Sequence, residues 1–124
     1  NNIFAFSDDG QMLITRQEEH NSLFLYNNIL VGDNEAMYDN AVDKDWFIDN
    51  NNLYWDYENG EKVFSDSNIS VKKMQKRGYY NNAVFADPGF KDAENRNFTL
   101  SLNSPALDTG FEAWEYEAGT RTQY

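Results

Sequence analysis

The chain has 124 residues, no cysteine, 16 % aromatic residues and a formal net charge of −11. That length suits one domain, and the missing thiols exclude a disulfide framework or a thiolate metal site. The acidity disfavours nucleic acid and anionic membranes, and polyuronates too unless calcium bridges the carboxylates; neutral glycans stay open.

Three Asn-Asn pairs each open a short apolar run: Asn1-Asn2-Ile3-Phe4, Asn27-Asn28-Ile29-Leu30 and Asn51-Asn52-Leu53-Tyr54, at steps of 26 and 24 residues. A period in this range is the mark of a solenoid. The expected fold class is all-β: a right-handed parallel β-helix of about three C-terminal coils, each with short strands joined by turns. Asparagine stacks on asparagine at one turn, because a side-chain amide both donates and accepts.

In chain order, Ile3–Phe6, Ile29–Val31 and Leu53–Trp55 follow the pairs. Ser22–Tyr26 and Trp46–Asp49 precede the second and third pairs. A third column comprises Gln11–Thr15, Glu35–Asp39 and Glu61–Ser65. Alternation groups Leu13, Met37 and Val63 of this column on one face, and Ile3, Ile29 and Leu53 of the strands after the Asn pairs on another. The strand that should precede Asn1 is missing, so the chain is expected to be the C-terminal piece of a longer solenoid. The remainder of the parent β-helix is then its partner at the N-terminal end.

A short helix is expected over 70–77. Ser70 is its N-cap, Val71 and Met74 give its apolar spacing, Lys76 and Arg77 sit in the last turn, and Gly78 follows its end. The organisation is then stacked coils over 1–66, a helical insertion over 67–78 and a closing cap over 79–124. In the cap, Pro88 and Pro105 end strand pairing, while Phe98, Leu100, Leu102 and Leu107 are expected to cover the last coil's apolar cross-section.

The closing run Ala86-Asp87-Pro88-Gly89-Phe90, then Asn97-Phe98-Thr99-Leu100-Ser101-Leu102-Asn103-Ser104-Pro105-Ala106-Leu107-Asp108-Thr109-Gly110, resembles the end of right-handed parallel β-helix proteins. The likeness is to the pectate-lyase-like (pectin lyase-like) carbohydrate-active enzymes. Upstream, the run from Gly10 to Gly32 is similar to the last full coils of bacterial β-helix glycosidases. The resemblance implies a secreted or periplasmic parent, a glycoside hydrolase acting on polysaccharide or oligosaccharide, with this fragment alone inactive. The alternative is a non-catalytic cap of a glycan-binding, adhesin or tailspike-like protein, or of a polysaccharide lyase.

The resemblance places the substrate groove along the third strand column. The turn Arg16-Gln17-Glu18-Glu19-His20 leaves that column and holds the densest ionisable cluster. Glu19, His20 and Glu18 are the catalytic candidates, as acid, base and proton shuttle, with Arg16 orienting a sugar. The same cluster also suits a solvated turn or a buttress for the next coil. Glu35 and Glu61, at equivalent places in that column, suit a glycosidase carboxylate pair, a shared calcium, or two solvated side chains. Tyr38, out of phase with Met37, is expected to face outward with Phe64 as a sugar platform. No cofactor is called for, with calcium the one metal left open.

Overall fold

In the computed structural model the described residues are 1–13, 20–21, 23–39, 47–61 and 69–113. Strands dominate. The central element is a four-stranded sheet built from β1 (Ile3–Ala5), β4 (Ile29–Gly32), β7 (Leu53–Asp56) and β8 (Val84–Phe85), in that order and parallel throughout. Two further parallel pairs are β2 (Met12–Leu13) with β5 (Tyr38–Asp39) and β3 (Leu23–Tyr26) with β6 (Phe47–Asn50). The sheet therefore continues through β8.

The asparagine repeat sets the register. Ile3 pairs with Ile29 and Ile29 with Leu53, so the residue after each Asn pair stacks on its equivalent. The ladder uses the second asparagine. Asn28 Oδ1 accepts from the backbone N and Nδ2 of Asn2, at 2.8 and 3.2 Å and a separation of 26 residues. Asn52 Oδ1 accepts from the N and Nδ2 of Asn28, at 2.8 and 3.0 Å and a separation of 24. The amides of Asn28 and Asn52 also donate to the Tyr26 and Leu25 carbonyls, at 2.9 and 2.8 Å. The first asparagine of each pair serves the turn instead. Asn27 and Asn51 both sit at φ 56°, a left-handed conformation that asparagine tolerates better than most residues.

Without such an anchor the third column slips. The structure pairs Met12 with Tyr38 and Leu13 with Asp39, not Leu13 with Met37. The strands there are two residues long and carry no asparagine ladder, so apolar pattern alone does not fix their pairing.

Both faces of the four-stranded sheet are covered. Leu30 and Tyr54 on one face join Leu25, Met37, Tyr38, Met74, Tyr79 and Tyr80 in one buried cluster. Ile29, Val31 and Leu53 on the other face pack with Ala106 and Phe111. The helix α1 (Val71–Lys76) has the expected cap, with Ser70 Oγ accepting from Lys73 N at 3.3 Å. Its end is a Schellman turn: Gly78 at φ 93°, Gly78 N on Gln75 O, and Tyr79 N on Met74 O. Met74 and Tyr79 are thereby directed together into the first cluster.

The closing residues lie elsewhere than expected. β9 (Phe90–Asp92) and β10 (Asn97–Leu100) form an antiparallel hairpin, followed by a 3₁₀ helix over Pro105–Thr109. This tail crosses the outer face of the sheet rather than plugging its end. Phe90, Leu100, Ala106 and Phe111 pack over Ile29, Val31 and Leu53, whereas Leu102 is 95 % exposed and Leu107 is also exposed. The interior is instead filled by Met74, Tyr79 and Tyr80, larger side chains delivered by the helix and the turn after it. Ser104 holds the tail closed, donating to the Pro88 carbonyl at 2.5 Å and accepting from Ala106 N at 3.2 Å. Asn1 and Glu112 exchange two hydrogen bonds of 2.9 and 2.7 Å, so the tail spans the sheet from β8 to β1.

Candidate functional site

Period-2 alternation along β3 turns Leu25 inward, 4 % exposed, and leaves Phe24 and Tyr26 outward, 58 % and 43 % exposed. Their rings meet edge to face, with centroids 6.1 Å apart and planes at 60°. In the parallel register Ile48 lies beside Phe24 and Asn50 beside Tyr26. Asn50 Oδ1 accepts from Asn82 Nδ2 at 2.9 Å, which extends the row to Tyr26, Asn50 and Asn82. Among the described residues, Asn50 Nδ2 and Asn82 Oδ1 make no other hydrogen bond, so one donor and one acceptor remain beside the rings. The result is an exposed aromatic pair bordered by side-chain amides. A sugar ring can lay its C–H face on such rings while its hydroxyls exchange hydrogen bonds with the amides.

Directly beneath this face lies a buried polar hub. Asp49, 1 % exposed, occupies the inward position next to Leu25. Its carboxylate accepts from Tyr80 N at 2.7 Å, Asn81 Nδ2 at 3.0 Å, Asn81 N at 3.4 Å and the hydroxyls of Tyr38 and Tyr54 at 3.2 and 3.3 Å. The Tyr38 and Tyr54 hydroxyls also contact each other, so their two protons are shared among three contacts. Burying a carboxylate is tolerable only with its lone pairs filled in this way. Burial, then the neighbouring Tyr54 phenol and the Asp49 charge, hold the Tyr38 phenol well above its ordinary 10.0. Burial and then Asp49 do the same to Tyr54 and Tyr80. These phenols are donors, not bases, near neutral pH.

The residues singled out from the sequence are dispersed. Arg16, Glu18 and Glu19 lie outside the described residues, as does Phe64. His20 is exposed, three positions ahead of Leu23, the first residue of the strand carrying Phe24 and Tyr26. Tyr38 is no platform: it is fully buried, together with Met37. Both face inward because Met37 precedes the two-residue β5, where strict alternation has not yet begun. Glu35 is half-buried and Glu61 exposed. The turns that hold them are joined by Asn59 Nδ2 on Asn34 Oδ1 at 3.0 Å and Asn34 N on Asp56 Oδ2 at 3.0 Å. No hydrogen bond connects the two glutamates through a shared partner among the described residues. Nor does any cluster of three or more His, Cys, Asp or Glu side chains suited to a metal ion occur among them.

Sequence reasoning missed both the outward aromatic pair and Asp49. The signal for each was the alignment of Leu25 with Asp49, which puts those two on one face of the column and Phe24 and Tyr26 on the other without saying which face is inside. No family model, curated protein or solved structure matches the chain.

Proposed function

We propose that these repeats are coils of a right-handed parallel β-helix in a carbohydrate-active protein, a glycoside hydrolase acting on neutral polysaccharide. In this reading the segment supplies a glycan-contact face. The observation that carries it is the exposed edge-to-face pair Phe24 and Tyr26, bordered in register by Asn50 and Asn82. Three parallel strand pairings stepped by the same asparagine repeat support the β-helix. The net charge of −11 favours an uncharged ligand over a polyuronate. Hydrolysis itself is assigned to residues 16–20, with Glu19 and His20 as acid and base and Arg16 orienting the sugar. Proximity in sequence supports this assignment, since His20 stands three positions ahead of β3.

The contact face is tested by calorimetric titration of neutral oligosaccharides and of polyuronate fragments of matched length. Phe24→Ala and Tyr26→Ala are expected to weaken neutral-glycan affinity by about 3- to 10-fold each, the worth of ~0.5–1.5 kcal/mol per aromatic contact. Thermal stability should stay nearly unchanged, since both rings are exposed. Unaltered affinity in both variants, or a preference for polyuronate, would overturn the reading. For the catalytic part, Glu19→Gln and His20→Ala in the full-length enzyme should lower turnover without loss of stability. Lost stability with intact turnover would make the turn a buttress.

A further inference from the structure

Tyr80 is held where tyrosine seldom goes. Its backbone sits at φ 57° although its ring is bulky and buried, and Asn82, two positions on, sits at φ 48°. Asparagine tolerates that left-handed conformation; for tyrosine it is a true outlier, kept only where the surroundings over-determine it. One buried side chain does so here. The backbone N–H groups of Tyr80 and Asn81 converge on the Asp49 carboxylate, at 2.7 and 3.4 Å. Asn81 Nδ2 donates to Asp49 Oδ1 at 3.0 Å and to the Asp49 carbonyl at 3.2 Å. Successive N–H groups arranged in this way form an anion-binding concavity, which the chain fills with its own carboxylate. The next residue of β6, Asn50, lies on the opposite face of the strand and meets the same turn from outside, its Oδ1 accepting from Asn82 Nδ2 at 2.9 Å. Consecutive residues thus fix the turn's backbone from within and its exposed amide from without.

We propose that Asp49 is a positioning residue for the glycan-contact face: its carboxylate locks the turn of residues 79–82 so that the Asn82 amide stands against Asn50, beside Phe24 and Tyr26. The proposal rests on the glycan reading of that aromatic pair and adds to it a buried residue that the ligand does not touch. Released from Asp49, the Tyr80 backbone relaxes out of the left-handed region and carries Asn82 away from Asn50. The rings keep their place, since β3 and the buried Leu25 hold them. Rings and amides of one face therefore depend on different supports. A neutral side chain of the same shape is no substitute, because asparagine at position 49 turns an N–H₂ group toward groups that are themselves donors.

The test is a pair of double-mutant cycles in the whole chain, read by calorimetric titration with a neutral oligosaccharide. Asp49→Asn and Asn82→Ala should each weaken binding about 3- to 10-fold, and the double variant should bind no more weakly than either alone. Asp49→Asn combined with Phe24→Ala should instead multiply the two losses. Without ligand, Asp49→Asn should erase the nuclear Overhauser contact between the Asn50 and Asn82 side-chain amides while the contact between the Phe24 and Tyr26 rings persists. Asn81→Ala removes the turn's side-chain tie and leaves the carboxylate its Tyr80, Tyr38 and Tyr54 contacts. It should show the same pattern, and it decides the matter where Asp49→Asn does not fold. Multiplied losses in the Asp49–Asn82 cycle, or binding untouched by Asp49→Asn and Asn81→Ala, would overturn the proposal and leave Asp49 a core residue alone. Binding that is absent, or that survives Phe24→Ala and Tyr26→Ala undiminished, would instead remove the contact-face reading itself, and this proposal with it.

Discussion

Asn28 and Asn59 carry the same side chain and different obligations. Asn28, 2 % exposed, accepts from Asn1 and Asn2 and donates to Tyr26 and Asn52. Leucine in its place keeps the volume and removes every one of those bonds inside the ladder. Asn28→Leu is therefore expected to cost ~1–3 kcal/mol per orphaned group. Asn59 sits at a turn, half-buried, where water replaces its bonds to Asn34 and Asp56 once the amide is gone. Asn59→Leu should cost about 0.5 kcal/mol or less. Urea unfolding of the two variants checks this, and equal midpoints would mean the ladder carries no special weight. Gly89 is a further fixed point: at φ +70° a Cβ there would stand 2.8 Å from Ser101 Oγ, so the Pro88-Gly89 turn admits glycine alone without rearrangement.

At the scale of elements, α1 is held by its ends and by one side chain. Six residues are too few to be helical by propensity alone, so packing decides. Met74, fully buried, carries that packing. Met74→Ala should cost ~2–5 kcal/mol, against about 1 kcal/mol for Ser70→Ala at the N-cap. Reversal of that order in thermal denaturation would show the helix to be cap-driven. This element was legible in the sequence because Ser70, Met74 and Gly78 each play one local role. The Asn-anchored strands were legible for a related reason, since each ladder rung names its partner by residue type. The β2–β5 pairing was not, because no asparagine fixes it and an apolar pattern tolerates a slip of two residues without changing faces. The candidate site suffered from the same gap. Alternation identifies two faces of β3, but which one is inside follows only from where Tyr54, Tyr80 and Asp49 come together.

Across the whole molecule, the four-stranded sheet separates two interiors with different chemistry. The outer one, roofed by the tail, is apolar: Ile29, Val31, Leu53, Ala106 and Phe111. The inner one mixes aromatic rings with a carboxylate, and this mixture makes stability sensitive to alkali. Tyr38, Tyr54 and Tyr80 have folded pKa values above the ordinary 10.0, chiefly because burial opposes the phenolate. Unfolding returns them to the ordinary value. A group raised in the folded state contributes stability that is fully present below the unfolded pKa and is lost as pH rises through the folded one. Stability should thus be flat up to about pH 10 and fall above it, as the unfolded chain releases protons that the folded chain retains. Tyr57, half covered and beside Asp87, is pushed up to about 12 by burial and then by that charge, and adds to the same slope. Absorbance at the phenolate band during an alkaline titration reads this directly. The buried phenols should ionise together with the loss of near-ultraviolet circular dichroism, and Tyr54→Phe should flatten the fall. Ionisation of the buried set ahead of unfolding would show that water reaches the Asp49 hub in the folded protein, and would remove the three phenols from the account of its stability.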